Sequence, residues 1–173
     1  MNYLQIDKAS ISNGPGVRAV LWVAGCTLNC KGCQNPESWN FNAGKLFDEN
    51  AKQELFDTLK KPYIRGITIS GGHPLEAKNI LCVYNLIKEI KNNFPTKDVW
   101  LYTGWSLSIN DIVPPYENKT IENKLFALCD VIVDGPYIEK ERDITLMFRG
   151  SANQRLIDVK KTMEQNKIIT IQN

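Results

Sequence analysis

Three cysteines stand within eight positions in "GCTLNCKGCQN" (Gly25 to Asn35), spaced C-x3-C-x2-C. A cysteine thiolate is a nucleophile and a soft metal ligand. Cys26, Cys30 and Cys33 are set among Thr, Asn, Lys, Gly and Gln, the composition of a polar loop. Core cysteines instead lie in apolar runs, as Cys82 does in "ILCVYNLI" and Cys129 in "FALCDVIV", and both of these read as packing residues. Three chemistries are open to the trio. Plain packing conflicts with the polar loop. A structural zinc site needs four ligands, and the fourth would come from Cys82, Cys129 or His73, the chain's single histidine. A zinc-stabilised Cys3His binding module through His73 is the workable version. A [4Fe–4S] cluster normally takes four thiolates. Three would leave one iron open to a substrate or cofactor, as the free position does in catalytic metal sites.

Such a loop needs a scaffold. The chain has 173 residues, enough for one domain with a real core, so residues 1–173 are expected to form a single unit. The formal net charge of +2 gives no support for nucleic acid as a partner. The start "MNYLQIDKAS" lacks the basic and apolar regions of a signal peptide. The best apolar stretch, Ala19 to Ala24, is too short to span a bilayer, so no membrane association is expected. A cytoplasmic protein follows, and clustered thiols there point to a metal or to catalysis more than to disulfides.

The hydrophobic pattern predicts strands at 17–25, 66–70, 99–102 and 131–133, with "IITI" (Ile168 to Ile171) as one more. Asp48 is placed to cap a helix carrying Leu55, Phe56 and Leu59. A longer helix is predicted from about Leu75 to Asn92, with Ile80, Tyr84, Ile87 and Ile90 at helical spacing, and another over Ile121 to Leu128. "DIVPPYEN" reads as a loop from its prolines. Short apolar strands alternating with helices make an α/β protein with a mostly parallel sheet. Such sheets bind ligands beyond the carboxyl ends of their strands. The cysteine loop, Gly71-Gly72-His73-Pro74, Thr103-Gly104 and Asp134-Gly135 each follow a predicted strand, so parallel strands would bring all four to one face.

"SNGPGVRAVLWVAGCTLNCKGCQNPESWN", "SGGHPL", "YTGW" and "VDGPYIEKERDITLMFRGSANQR" occur in this order. Together they resemble the radical S-adenosylmethionine superfamily, and within it the glycyl-radical-enzyme activases that serve anaerobic ribonucleoside-triphosphate reductases. The resemblance covers roughly residues 2–159 and leaves Lys160 to Asn173 unmatched. It implies an incomplete, open (β/α) barrel of about five or six strands, because a closed eight-unit barrel needs about 250 residues. It implies that Cys26, Cys30 and Cys33 hold a [4Fe–4S] cluster and that S-adenosyl-L-methionine binds the open iron. One electron, from a reducing donor such as flavodoxin, would then yield a 5′-deoxyadenosyl radical. That radical takes a hydrogen atom from a glycine of the reductase.

The same resemblance sets Gly32, Cys33 and Gln34 beside the cofactor, and Gly71, Gly72 and His73 at its amino group. Trp39 would shield the cluster, or simply pack. Asp134 would touch the cofactor, or merely form a turn. Arg149 to Arg155 would dock the reductase, or cap the domain. Gly14-Pro15-Gly16 fits a dinucleotide fingerprint superficially but precedes a strand where that motif requires a helix. Two positions depart from the family pattern. His73 stands where an acidic residue is usual, and no aromatic flanks the third cysteine, where Gly32 and Gln34 stand. An alternative within the superfamily is a small radical enzyme of modified-nucleoside synthesis.

Overall fold

The apolar segment from residue 17 becomes an inner strand of one seven-stranded sheet in a computed structural model that describes residues 1–115 and 120–172. The strands are β1 (Asn2–Ser10), β2 (Val17–Val23), β3 (Lys45–Leu46), β4 (Ile64–Gly71), β5 (Asp98–Tyr102), β6 (Val131–Asp134) and β7 (Arg155–Asp158). Their order is β3-β1-β2-β4-β5-β6-β7. The four inner strands β2, β4, β5 and β6 run parallel, as their near-continuous apolar sequences require. β1 pairs antiparallel with β2 and β3, and β7 pairs antiparallel with β6, so the parallel core is flanked on each side by a reversed strand. This is an α/β fold of the incomplete (β/α) barrel type.

The helices are α1 (Glu49–Leu59), α2 (Ile80–Asn93), α3 (Ile109–Ile112), α4 (Ile121–Phe126) and α5 (Val159–Gln165). α1 begins where expected: Asp48 accepts a hydrogen bond from Ala51 N–H at 2.9 Å. It buries Ala51, Leu55, Thr58 and Leu59, while Phe56 is half-buried and meets Phe94 edge-on. α2 buries Ile80, Val83, Leu86, Ile87 and Ile90. These faces close over Leu21, Ile67, Ile69 and Leu101 of the sheet to form the main core.

The structure departs from the sequence expectations in several places. α2 starts at Ile80 and not near Leu75, and Asn79, which precedes it, donates its side-chain amide to the Ala24 and His73 carbonyls. β1 carries only Tyr3 and Ser10 as buried residues, so its sequence lacks the apolar face that would have announced it. β7 is only four residues long. The segment expected as a strand at 168–171 lies along β7 but makes a single isolated bridge, Ile157 with Thr170. Of the proline-rich segment, Asp111 and Ile112 end α3, and residues 116–118 lie outside the described ones.

A fully buried arginine ties three inner strands together beneath the site. Arg18 on β2 donates from Nε to Thr68 Oγ1 at 2.9 Å and from Nη2 to the Ile67 carbonyl at 2.8 Å, both on β4. Its Nη1 pairs with Asp98 on β5, and the guanidinium lies over the Trp100 ring. A buried charge is tolerated only when paired and hydrogen-bonded in this way.

Candidate functional site

The loops after β2, β4, β5 and β6 meet in one pocket at the carboxyl ends of the parallel strands, where such sheets hold ligands. Cys26, Cys30, Cys33 and Gln34 come from the first loop, and Gly71, Gly72 and His73 from the second. Thr103 and Gly104 come from the third and Gly135 from the fourth. Trp22, Trp39, Tyr102 and Tyr137 supply the aromatic part of the wall.

The cysteine loop is pinned by backbone hydrogen bonds. Gly25 N–H donates to Ser38 O at 2.7 Å and Cys26 N–H to Trp39 O at 3.1 Å, so the 3-10 turn Pro36–Trp39 folds back under the loop. Gly72 N–H reaches Val23 O and His73 N–H reaches Gly25 O, each at 2.7 Å. A Cβ on Gly72 would lie 2.5 Å from Gly25 O, so only glycine permits this approach of the two loops. Asn79, 1% exposed, completes the junction from the end of β2 to the glycine loop. The sequence carried no signal for Asn79, which falls inside the helix expected from about Leu75 and precedes the observed one at Ile80.

All three thiols are partly exposed and unpaired with one another. Burial pushes the Cys26 thiol up, and the backbone N–H groups of Leu28 and Asn29 at its sulfur pull it back toward thiolate. Asn35 N–H donates to Cys33 Sγ at 3.4 Å. Backbone donors on thiolate sulfur suit an iron–sulfur cluster, whose potential depends on hydrogen bonds to sulfur. Among the described residues, no three His, Cys, Asp or Glu side chains converge tightly enough to hold one metal ion.

His73 is 2% exposed, and both ring nitrogens are engaged. Nε2 lies 2.9 Å from Thr103 Oγ1, and Nδ1 lies 3.5 Å from Glu76 Oε1. A carboxylate facing Nδ1 can only accept, so the neutral ring carries its proton on Nδ1, toward Glu76, and Nε2 accepts from the Thr103 hydroxyl, whose oxygen also accepts from Trp105 N–H. The ring edge packs on Trp105 at 5.0 Å. Burial holds its pKa below the ordinary value, against the opposing pull of Glu76.

Other expected residues are placed as follows. Gly32 is absent from the pocket lining. It has φ +72°, and a Cβ there would meet Glu139 Oε1 at 2.9 Å, so its visible work is to turn the loop between Cys30 and Cys33. Trp39 lines the pocket. Asp134 does not: it is 1% exposed, pairs with Arg155 and accepts from Leu107 N–H. In "RGSANQR", Gln154 Oε1 accepts from Gly150 and Ser151 N–H groups, and Asn153 donates to Pro136 O. The segment thus folds onto the β6 loop, and Gly150 and Gln154 reach the pocket. Cys129 is buried in the core and burial drives its thiol pKa far up, while Cys82 is half-buried away from the pocket.

The profile of the family described as a 4Fe-4S single cluster domain matches residues 12–157. The anaerobic ribonucleoside-triphosphate reductase-activating protein of enterobacteria phage T4 is 43% identical over 156 residues, covering 90% of this chain and 93% of that protein. The proteins of the same name from Haemophilus influenzae and Escherichia coli K12 are 39% and 35% identical, each over 89% of this chain and 96% of their own length. The chain belongs to the 4Fe-4S single cluster domain family and, within it, to the anaerobic ribonucleoside-triphosphate reductase-activating proteins.

Proposed function

We propose that this chain, acting as one domain over residues 1–173, is a radical S-adenosylmethionine activase that installs a glycyl radical in an anaerobic ribonucleoside-triphosphate reductase. The observation that carries the reading is that three thiols and a glycine-rich loop, far apart in sequence, line the same pocket. Cys26, Cys30 and Cys33 would hold a [4Fe–4S] cluster through their sulfurs. Bound together, cluster and S-adenosylmethionine supply reductive cleavage of the sulfonium and the 5′-deoxyadenosyl radical that takes a glycine hydrogen atom.

The chain's own residues orient and protect. Carbonyls of the Gly71-Gly72 loop would accept from an ammonium, and the glycines, which line the pocket, leave room for a close approach. Because His73 is committed to Thr103 and Glu76, its side chain adds no charge there. Gln34, exposed at the pocket edge, offers an amide where an aromatic would stack. Gly32 contributes by turning Cys33 and Gln34 toward the pocket. Trp22, Trp39 and Tyr137 limit water around the thiols. Among the described residues no helix is long and apolar enough to cross a membrane. We place the protein in the reducing cytoplasm, with a small electron donor such as flavodoxin.

Anaerobic reconstitution tests the reading. The protein should take up iron and acid-labile sulfide in equal amounts, turn brown, and release 5′-deoxyadenosine from S-adenosylmethionine once reduced. Cys30→Ala should lose both the cluster and the cleavage. A colourless wild type with zinc and no sulfide would contradict the cluster, and normal cleavage by Cys30→Ala would contradict the ligand assignment.

A further inference from the structure

Glu76 lies outside the pocket lining, yet it joins the cysteine loop to the glycine loop. Its Oε1 accepts from both the backbone N–H and the hydroxyl of Thr27, each at 2.8 Å. Thr27 directly follows the first cysteine of the motif. The same oxygen faces His73 Nδ1, and His73 Nε2 continues to Thr103 after β5. One carboxylate therefore connects three of the four loops. The Glu76 side chain is only 14% exposed, while Thr27 at the other end of these bonds is exposed to water. Hydrogen bonds to an ionised acceptor are about twice as strong as neutral ones.

We propose that Glu76 is a positioning residue, which fixes the Cys26 end of the thiol loop through Thr27 and is itself held in place by His73. The proposal rests on the cluster reading above. It assigns His73 a task that an acidic side chain could not perform, since a carboxylate there would repel Glu76 and could not donate to it. Position 73 and the 27–76 contact therefore form one unit: His73 gives up contact with the cofactor in order to lock the loop that carries the first ligand.

The test reads the loop without using catalysis. Reconstituted protein is mixed anaerobically with an excess of iron chelator, and the loss of cluster absorbance is timed. Glu76→Ala should release iron about tenfold faster than wild type, the effect of losing roughly one charged hydrogen bond. Glu76→Gln should restore most of the lifetime, because its amide oxygen still accepts from Thr27. Thr27→Val should speed release about threefold in wild type and add nothing to Glu76→Ala, as expected of two residues acting through one contact. The tie is overturned if Glu76→Ala keeps the wild-type rate or if the two substitutions act independently. Faster release that merely tracks a lowered melting midpoint of the metal-free protein would reduce Glu76 to a fold-stabilising contact and also overturn it. If Glu76→Ala does not fold, Glu76→Gln and Thr27→Val decide alone: neutral behaviour of Thr27→Val is the overturning result. A wild type that assembles no cluster would end the function proposed above, whereas an intact cluster with an unchanged Glu76→Ala lifetime would end only the tie.

Discussion

At the scale of single residues, His73 shows how burial changes what a side chain can do. Its ring is enclosed by Thr103, Trp105 and Glu76, and Glu76 is the titratable group facing it. Burial lowers its pKa despite that carboxylate. The folded protein therefore binds fewer protons at this site than the unfolded chain once the pH falls to the ordinary histidine range. The stability His73 contributes is complete above about pH 6.5 and is lost as the pH drops toward the lowered folded value. The metal-free wild type should melt at progressively lower temperature between about pH 7 and pH 5, with a shallower slope in His73→Gln. Equal slopes in the two proteins would show that His73 titrates as it does in the unfolded chain. The identity of this residue was legible in the sequence, but its partners were not. Thr103 is 30 positions away, and Glu76 sits on the same short turn without any pattern to mark it.

At the scale of elements, the parallel core was legible because β2, β4, β5 and β6 are buried on both faces and read as apolar runs. Knowing that they were parallel was enough to gather the four loops at one pocket. The margins were not legible. β1 mixes exposed and half-buried residues, and β3 is two exposed residues whose pairing depends on β1 already being in place. Arg18 was equally silent: a charged residue within an apolar strand gives no hint that Asp98, Thr68 and Trp100 await it. Its removal should be costly, because the Ile67 carbonyl, Thr68 and Asp98 all lose a buried donor. Arg18→Ala should lower unfolding free energy by about 3 kcal/mol in urea denaturation. Arg65 still pairs with Asp98 Oδ2 at 3.0 Å, which limits the loss. A change within about 0.5 kcal/mol would mean that the arginine network adds no net stability.

At the scale of the whole molecule, the sheet acts as a frame that delivers thiols, glycines and hydroxyls from separate loops to one end. The order of the motifs along the chain carries the family resemblance. The physical basis of that order is that each motif ends a parallel strand. The division of labour inside the pocket was visible only in three dimensions: Asp134 braces Arg155, Gly32 turns the loop, and "RGSANQR" folds back on the β6 loop. The pocket is expected to generate a radical that ends on a glycine of the reductase. The most direct measurement is electron paramagnetic resonance of the reductase after anaerobic mixing with the reduced, reconstituted protein and S-adenosylmethionine. A glycyl radical is expected with the wild type and none with Cys30→Ala. A wild type that carries its cluster and cleaves S-adenosylmethionine, yet leaves the reductase without a radical, would contradict this expectation.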